Sequence, residues 1–522
     1  MINSLYNPDY NLLAPDDLDY LIRHPLETAI GKKEFNRAVK AVENYRYYDG
    51  YQYKDEYGNL VKAEDLPKPP NMDYEPSRFH TNYFKAFIKR KARWQMGGDH
   101  GVAVKPKSQS QADVDLAKNH QELIYQLWED NNFNRDRIRI ARDRLLGGRV
   151  VAKLAFNQRT GRLHWIWHTA QEVFLTYSDD GFDDLLGGTI IIPQDDDENE
   201  GLTQYWVQRF RMNDDFTNCY FEEIIYDDQL EVKRVVTEET PLDLDFVPLI
   251  KFDVRDLVSR DSFNDELGDM RTLTDKLNEM MADATDSLKF EMFNVTVIEN
   301  AEPGTAEKMQ IAPGAVVEVS NTSESTPARL RNIENGFKWK EAYKDQYNRI
   351  KSALHELSGL PQIVPQELNF GGLNDRALQV LYQDIIQETE EQWLAWADGF
   401  KELHEKSVKY LQARTDSRRF AYDKDVVNAI EDYSTEMNFG LPLPDDRASL
   451  VELLTVEVDN GFESQHGALR RLGVQNVEEK ITEMNEEKVS RIELFDPYAN
   501  NGGSDVVDEN VSEDIIVDDV AE

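Results

Sequence analysis

Cysteine is nearly missing from this chain: Cys219 is the only one in 522 residues. That excludes an intramolecular disulfide framework and any zinc module built on cysteine pairs. No apolar run approaches the ~18 residues that a membrane-spanning helix needs, so no bilayer crossing and no membrane partner are expected. Bases are scarce beside acids, 59 against 99, for a formal net charge of −40. A chain this acidic repels phosphate and is no general nucleic-acid binder. Nucleotide and hydrolase signatures are missing as well: no G-x-x-x-x-G-K-[ST], no G-x-S-x-G, no H-E-x-x-H. His355-Glu356 and His404-Glu405 begin the last pattern without its second histidine. The N-terminus, MINSLYNPDYNLLAPDDLDY, has acids where a secretory leader has bases. Synthesis in a reducing cytoplasm is the expectation. No catalytic residue, metal ligand or cofactor is nominated.

What is present is architecture. Apolar residues make up 40% and aromatics 10%, too many for a disordered chain, and the length allows several domains. The acids include a tail, Ser504–Glu522, with eight acids and no bases. It reads as a solvated, disordered end. The run Asp195-Asp196-Asp197-Glu198-Asn199-Glu200 lacks the alternation of a calcium loop and reads as a solvated loop. Two basic stretches run against the trend. One is Lys85, Lys89, Arg90, Lys91 and Arg93. In the other, Arg135, Arg139 and Arg142 share one helical face, which suits an intersubunit or partner contact, or pairing with nearby acids.

Hydrophobic periodicity orders the rest. Helices are expected over 82–96, 111–130 and 133–146, the first and last ended by glycine pairs. Val150–Phe156 and Leu163–Trp167 alternate with period two and read as a hairpin. Further strands fall near 171–177, 188–192, 204–211, 219–226, 230–236 and 246–252. From Ser262 the apolar residues Leu267, Met270, Leu273, Leu277, Met281, Ala284 and Leu288 mark one face of a helix of about 28 residues. A short β-rich insert follows, and a second helix over 336–358. Past Gly359-Leu360-Pro361 lies the loop QIVPQELNFGG, Gln362–Gly372. A third helix follows, of ~38 residues and about 57 Å, with Gly399 as a candidate kink. Residues 413–495 read as short helices. Paired carboxylates are too common to nominate an acid/base pair. Cys219 and the tryptophans read as core.

This order of parts resembles the portal proteins of tailed double-stranded DNA bacteriophages, and most of all those from siphophages of Gram-positive hosts. Asn82–Gly97 (NYFKAFIKRKARWQMG) is similar to that family's early helix ending in Met-Gly. Gly148–Tyr177 resembles its Gly-led hairpin and following TAQEVFLTY-like segment. Val247–Phe252 resembles its V-P-[IV]-[IV]-x-F strand. Leu273–Asn278 resembles L-x-D-x-Y-N, with Lys276 and Leu277 departing. Gly372–Tyr382 resembles the start of its spine helix. Gly461–Glu487 resembles its C-terminal G-x-x-S…L-G-V-x-D element, with Asn476 at the Asp position.

The resemblance implies an α+β, multi-domain portal fold: mixed α/β wing 1–261, stem helix 262–292, β-rich clip 293–335, second stem helix 336–358, tunnel-loop region 359–375, long kinked spine helix 376–412 and α-helical crown 413–495. The acidic tail 496–522 follows. It also implies a structural role without catalysis, in a ring of about twelve copies at one capsid vertex in the virion. The partners implied are further copies of the chain, terminase, the head–tail connector or adaptor, the major capsid and scaffolding proteins, and DNA passing through the channel without sequence specificity. The tunnel loop would present Gln362, Gln366, Asn369 and Phe370 to DNA, with Gly371 and Gly372 as its pliant end. Another virion or scaffold protein, or a carboxylate-based metal-dependent hydrolase, remain alternatives.

Overall fold

The computed structural model describes residues 32–70, 74–178, 180, 182, 184–196, 202–254, 266–292, 295–300, 329–333, 339–361, 380–442, 447–461, 465–472, 480, 481 and 484. The acidic tail and the loop residues Gln362, Gln366, Asn369, Phe370, Gly371 and Gly372 lie outside them.

Helix α1 (Lys32–Tyr48) leads to a small hairpin, β1 (Tyr53–Lys54) and β2 (Leu60–Val61), then α2 (Tyr83–Met96), β3 (His100–Ala103), α3 (Gln111–Asp130) and α4 (Phe133–Gly147). Asn82 accepts the Lys85 amide and Ser110 the Asp113 amide, so polar caps start α2 and α3. Eight strands follow: β4 (Arg149–Asn157), β5 (Arg162–Thr169), β6 (Val173–Tyr177), β7 (Leu185–Asp195), β8 (Thr203–Met212), β9 (Cys219–Tyr226), β10 (Val232–Pro241) and β11 (Leu249–Asp253). The expected period-two segments match these strands to within a few residues at the ends. Strands β6 to β10 form one antiparallel sheet in sequence order. Strand β4 sits between β5 and β11 in a second sheet, with Val150 opposite Thr169 and Phe252.

Two long helices, α5 (Glu266–Met292) and α6 (Trp339–Leu357), pack together and flank the pair β12 (Val295–Glu299) and β13 (Arg329–Ile333). Helix α7 (Gln383–Gln412) follows, then α8 (Lys424–Ala429) and β14 (Glu436–Phe439). The chain contains both long helices and antiparallel sheets, and its fold class is α+β. Among the described residues no helix is long and apolar enough to cross a membrane.

The core gathers around α7. Trp396, Phe400, Leu403, His404, Ser407 and Leu411 form its buried face. Phe400 lies edge-on to Phe133 and to Phe252, at 5.3 and 5.2 Å between ring centres. Trp165, on the expected hairpin, donates its indole N–H to Ser407 Oγ at 3.0 Å. His404 is fully buried: its Nε2 accepts from Trp128 Nε1 and its Nδ1 faces Thr435 Oγ1. It is held there as a neutral packing residue. Gly399 has a steric role in the packing of this helix. The helix runs unbroken through it, and a Cβ would sit 2.4 Å from the Phe252 ring. Only glycine lets the β11 aromatic approach the helix backbone so closely.

Sequence periodicity missed two strands that pair far along the chain. Residues after 413 were expected to be helical, yet Glu436–Phe439 pairs antiparallel with His100–Ala103. Four residues carry too little periodicity to register, and the partner strand supplies the hydrogen bonds. The chain divides into two compact units at Pro442/Leu443, so the expected crown boundary at 413 falls inside the first. The second unit holds α9 (Arg447–Asp459) and α10 (Gln465–Arg471), which pack together and bury Leu454 and Ala468.

Candidate functional site

The loop between α6 and α7 is the segment for which the resemblance implies DNA contact. Its two described flanks converge on one helix, α2. On the α6 side, Ser358 Oγ donates to the His355 carbonyl, and His355 Nδ1 lies 3.1 Å from the Leu360 carbonyl. A carbonyl only accepts, so Nδ1 carries the proton. Gly359 turns the chain with φ +64, a left-handed conformation that suits glycine, and a Cβ there would press on Glu388 at 3.1 Å. Leu360 then buries itself beside Phe87, Leu354 and Ile385.

On the α7 side, Tyr382 packs on Trp94 at 5.1 Å, and Ile385 is buried in the same cluster. One turn further on, Glu388 accepts from Lys91 Nζ at 2.7 Å. Lys91 is 5% exposed and Glu388 30%, so the pair is partly shielded from water. Phe87, Lys91 and Trp94 are spaced at four and three along α2, one face of one helix. His355 stacks edge-on against Phe87 at 5.2 Å. Burial first, then the charges of Lys351 and Arg90, lower the His355 pKa against the pull of the Leu360 bond. The ring is therefore neutral at pH 7 and acts as a hydrogen-bonded peg. Both described flanks are thereby held against α2, an arrangement that fixes where the connecting segment leaves and rejoins the fold.

The second expected site, the arginine face of α4, divides. Arg135 and Arg139 are exposed and share Asp136, at 2.7 and 3.2 Å. Arg142 continues the same face but is half-buried, with its Nε out of contact with water. Helix α1 covers that end of α4, and Arg142 acts on Tyr48 and Asp143 there. Burial pushes Asp143 up to about 7 although the Tyr45 hydroxyl, 3.0 Å away, pulls the other way.

A further ion network was not legible in the sequence. Arg149 is almost fully buried and pairs with Asp253 on β11 and Glu34 on α1. Burial opposes the Asp253 charge, but Arg149 outweighs it and holds the carboxyl well below its usual range. Arg144, also buried, lies 4.5 Å over the Trp396 ring and donates to the Asp253 carbonyl. Partners so distant in sequence leave no spacing signal. Among the described residues no group of three or more His, Cys, Asp or Glu side chains could hold a metal ion. Cys219 is buried, and burial pushes its thiol up to about 12, so it is unreactive at neutral pH.

A search of curated proteins finds no match. Among solved structures, the chain is similar to one from the virion of a native gene transfer agent particle, at 11% identity and a TM-score of 0.35, covering 74% of this chain and 88% of that one. The family model described as phage portal protein, SPP1 Gp6-like, matches residues 30–493. That span takes in both sheets, the long helices α5, α6 and α7, and the pinned loop base, and the protein belongs to the SPP1 Gp6-like phage portal protein family.

Proposed function

We propose that the protein is the portal of a tailed phage, from the siphophages of Gram-positive hosts. About twelve copies form a closed ring at one capsid vertex. DNA enters and leaves the capsid through its axis, and terminase and the head–tail connector dock on it in turn. Capsid and scaffolding proteins meet it during assembly. The chain is made in the host cytoplasm and retained in the virion, and it catalyses nothing itself. The family match over residues 30–493 is the observation that carries this reading.

Two physical features support it. Chains each carrying −40 repel phosphate overall, which suits a passage that DNA must slide through without sticking. The described flanks, at Leu360 and at Tyr382 to Glu388, are both held against α2, which fixes where the segment proposed to meet DNA leaves and rejoins the fold. Native mass spectrometry and negative-stain imaging of the purified chain test the ring. A closed ring with an axial hole is the expected result. A chain that stays monomeric at every concentration, with scaffold added, overturns it. Replacing 362–372 by a Gly/Ser segment should leave rings intact and impair packaging. Unchanged packaging would remove the loop from the mechanism.

A further inference from the structure

The exposed face of α4 carries two guanidinium groups against one carboxylate. The Arg135 and Arg139 side chains are 65% and 59% exposed, and both reach only Asp136 among the described residues. One positive charge on this face is unmatched, in a chain whose total is −40.

Helix α7 has the opposite imbalance. One long edge of it faces the core through Ile385, Trp396, Phe400 and Leu403. Its outward edge reads Val380 (in the turn that leads in), Asp384, Gln387, Glu391, Leu394 and Asp398, all exposed and spaced at three and four. Asp384, Glu391 and Asp398 have no ion-pair partner among the described residues. Leu394 and Val380 are 71% and 70% exposed, apolar side chains set between these acids. A basic and an acidic face lying side by side in one subunit would pair with each other, and these do not.

We infer that the Arg135/Arg139 face of α4 is an interface with a second copy of this chain, and that it meets the acidic outward edge of α7 in that copy. The inference rests on the ring reading above and adds which surfaces join. Two different faces in contact make a head-to-tail junction, the kind that repeats around a ring. Complementary charge sets the orientation of chains that otherwise repel, and Leu394 becomes covered at the same junction.

Two double variants of the full chain test it: Arg135→Glu with Arg139→Glu, and Glu391→Lys with Asp398→Lys. Each alone places like charge at every junction, so the closed-ring fraction in native mass spectrometry should fall by roughly tenfold. An equal mixture should restore closed rings holding equal numbers of the two variants. In an alternating ring every junction joins either two unaltered faces or two reversed ones. That rescue also proves that both variants fold. Variants that close rings as well as the wild type, or a mixture that fails to recover them while each variant keeps the wild-type melting temperature, overturn the pairing and leave the ring reading standing. A wild-type chain that never closes a ring overturns both.

Discussion

The helix α7 and the helix α6 differ in how far one chain can satisfy them. Helix α7 buries Trp396, Phe400, Leu403, Val408 and Leu411 against sheet and helix neighbours of its own subunit. Helix α6 buries only Ile350 and Leu354, while Trp339, Tyr343 and Tyr347 stay half-covered in a ladder with ring centres about 6 Å apart. Leu288 on α5 and Leu357 on α6 are 43% and 50% exposed. The inward face of α7 is thus covered within its own subunit. The α5/α6 pair has apolar surface to spare, which suits elements finished by neighbouring copies.

The sharpest way to break this contrast is Trp396→Ala. Loss of a fully buried indole should cost the isolated chain about 3–5 kcal/mol, whereas Leu288→Ala should cost roughly 0.5 kcal/mol or less in the monomer. Urea unfolding of both variants compares them directly. Equal effects would erase the distinction. Next in size is Gly399→Ala, where a methyl group driven into the Phe252 ring should cost about 1–3 kcal/mol despite the better helix propensity of alanine. A gain in melting temperature would show that Phe252 can move aside.

Smaller still is the severing of the loop base. Lys91→Met should cost about 1–2 kcal/mol, since it removes the partly shielded Lys91–Glu388 ion pair. The telling readout is local: faster amide exchange around Gly359–Leu360 and Tyr382–Ile385, with the α7 core around Trp396 unchanged.

Acid gives the most graded test. Burial lowers His404 from its usual value to about 3, with His120 adding to the shift. The folded value is depressed, so the associated stability is full above about pH 6.5 and drains away as pH falls towards 3. The slope for one such group is roughly 1 kcal/mol per pH unit. Urea midpoints at pH 7, 6 and 5 should fall progressively, and His404→Gln should flatten the trend.

Much of this body was legible in the sequence because its signals are local. The alternation in Val150–Phe156 gave β4, and among the tryptophans read as core Trp396 is fully buried on the inward side of α7. At the candidate site, Gly359 and the α2 helix were visible, but the Lys91–Glu388 contact was not, because its partners are set by the packing of α2 on α7. The steric role of Gly399 was not visible either, because only the position of Phe252 on β11 shows that a Cβ there has no room. Arg142 joined Arg135 and Arg139 by spacing alone. Spacing carries no record of α1 lying across that end of the helix. In each case a long-range neighbour decides what the local pattern leaves open.

The pairing of β3 with β14 has a consequence for timing. His100–Ala103 emerges early from the ribosome, yet its partner Glu436–Phe439 is made only when most of the chain exists. At about 5–20 residues per second, the wait is on the order of tens of seconds. Throughout it, Met96 and Val102 lack part of their final cover. The first unit is therefore complete only after residue 439 has been made. A nascent chain shorter than 439 residues lacks this pairing, so one edge of its first unit stays open until that point.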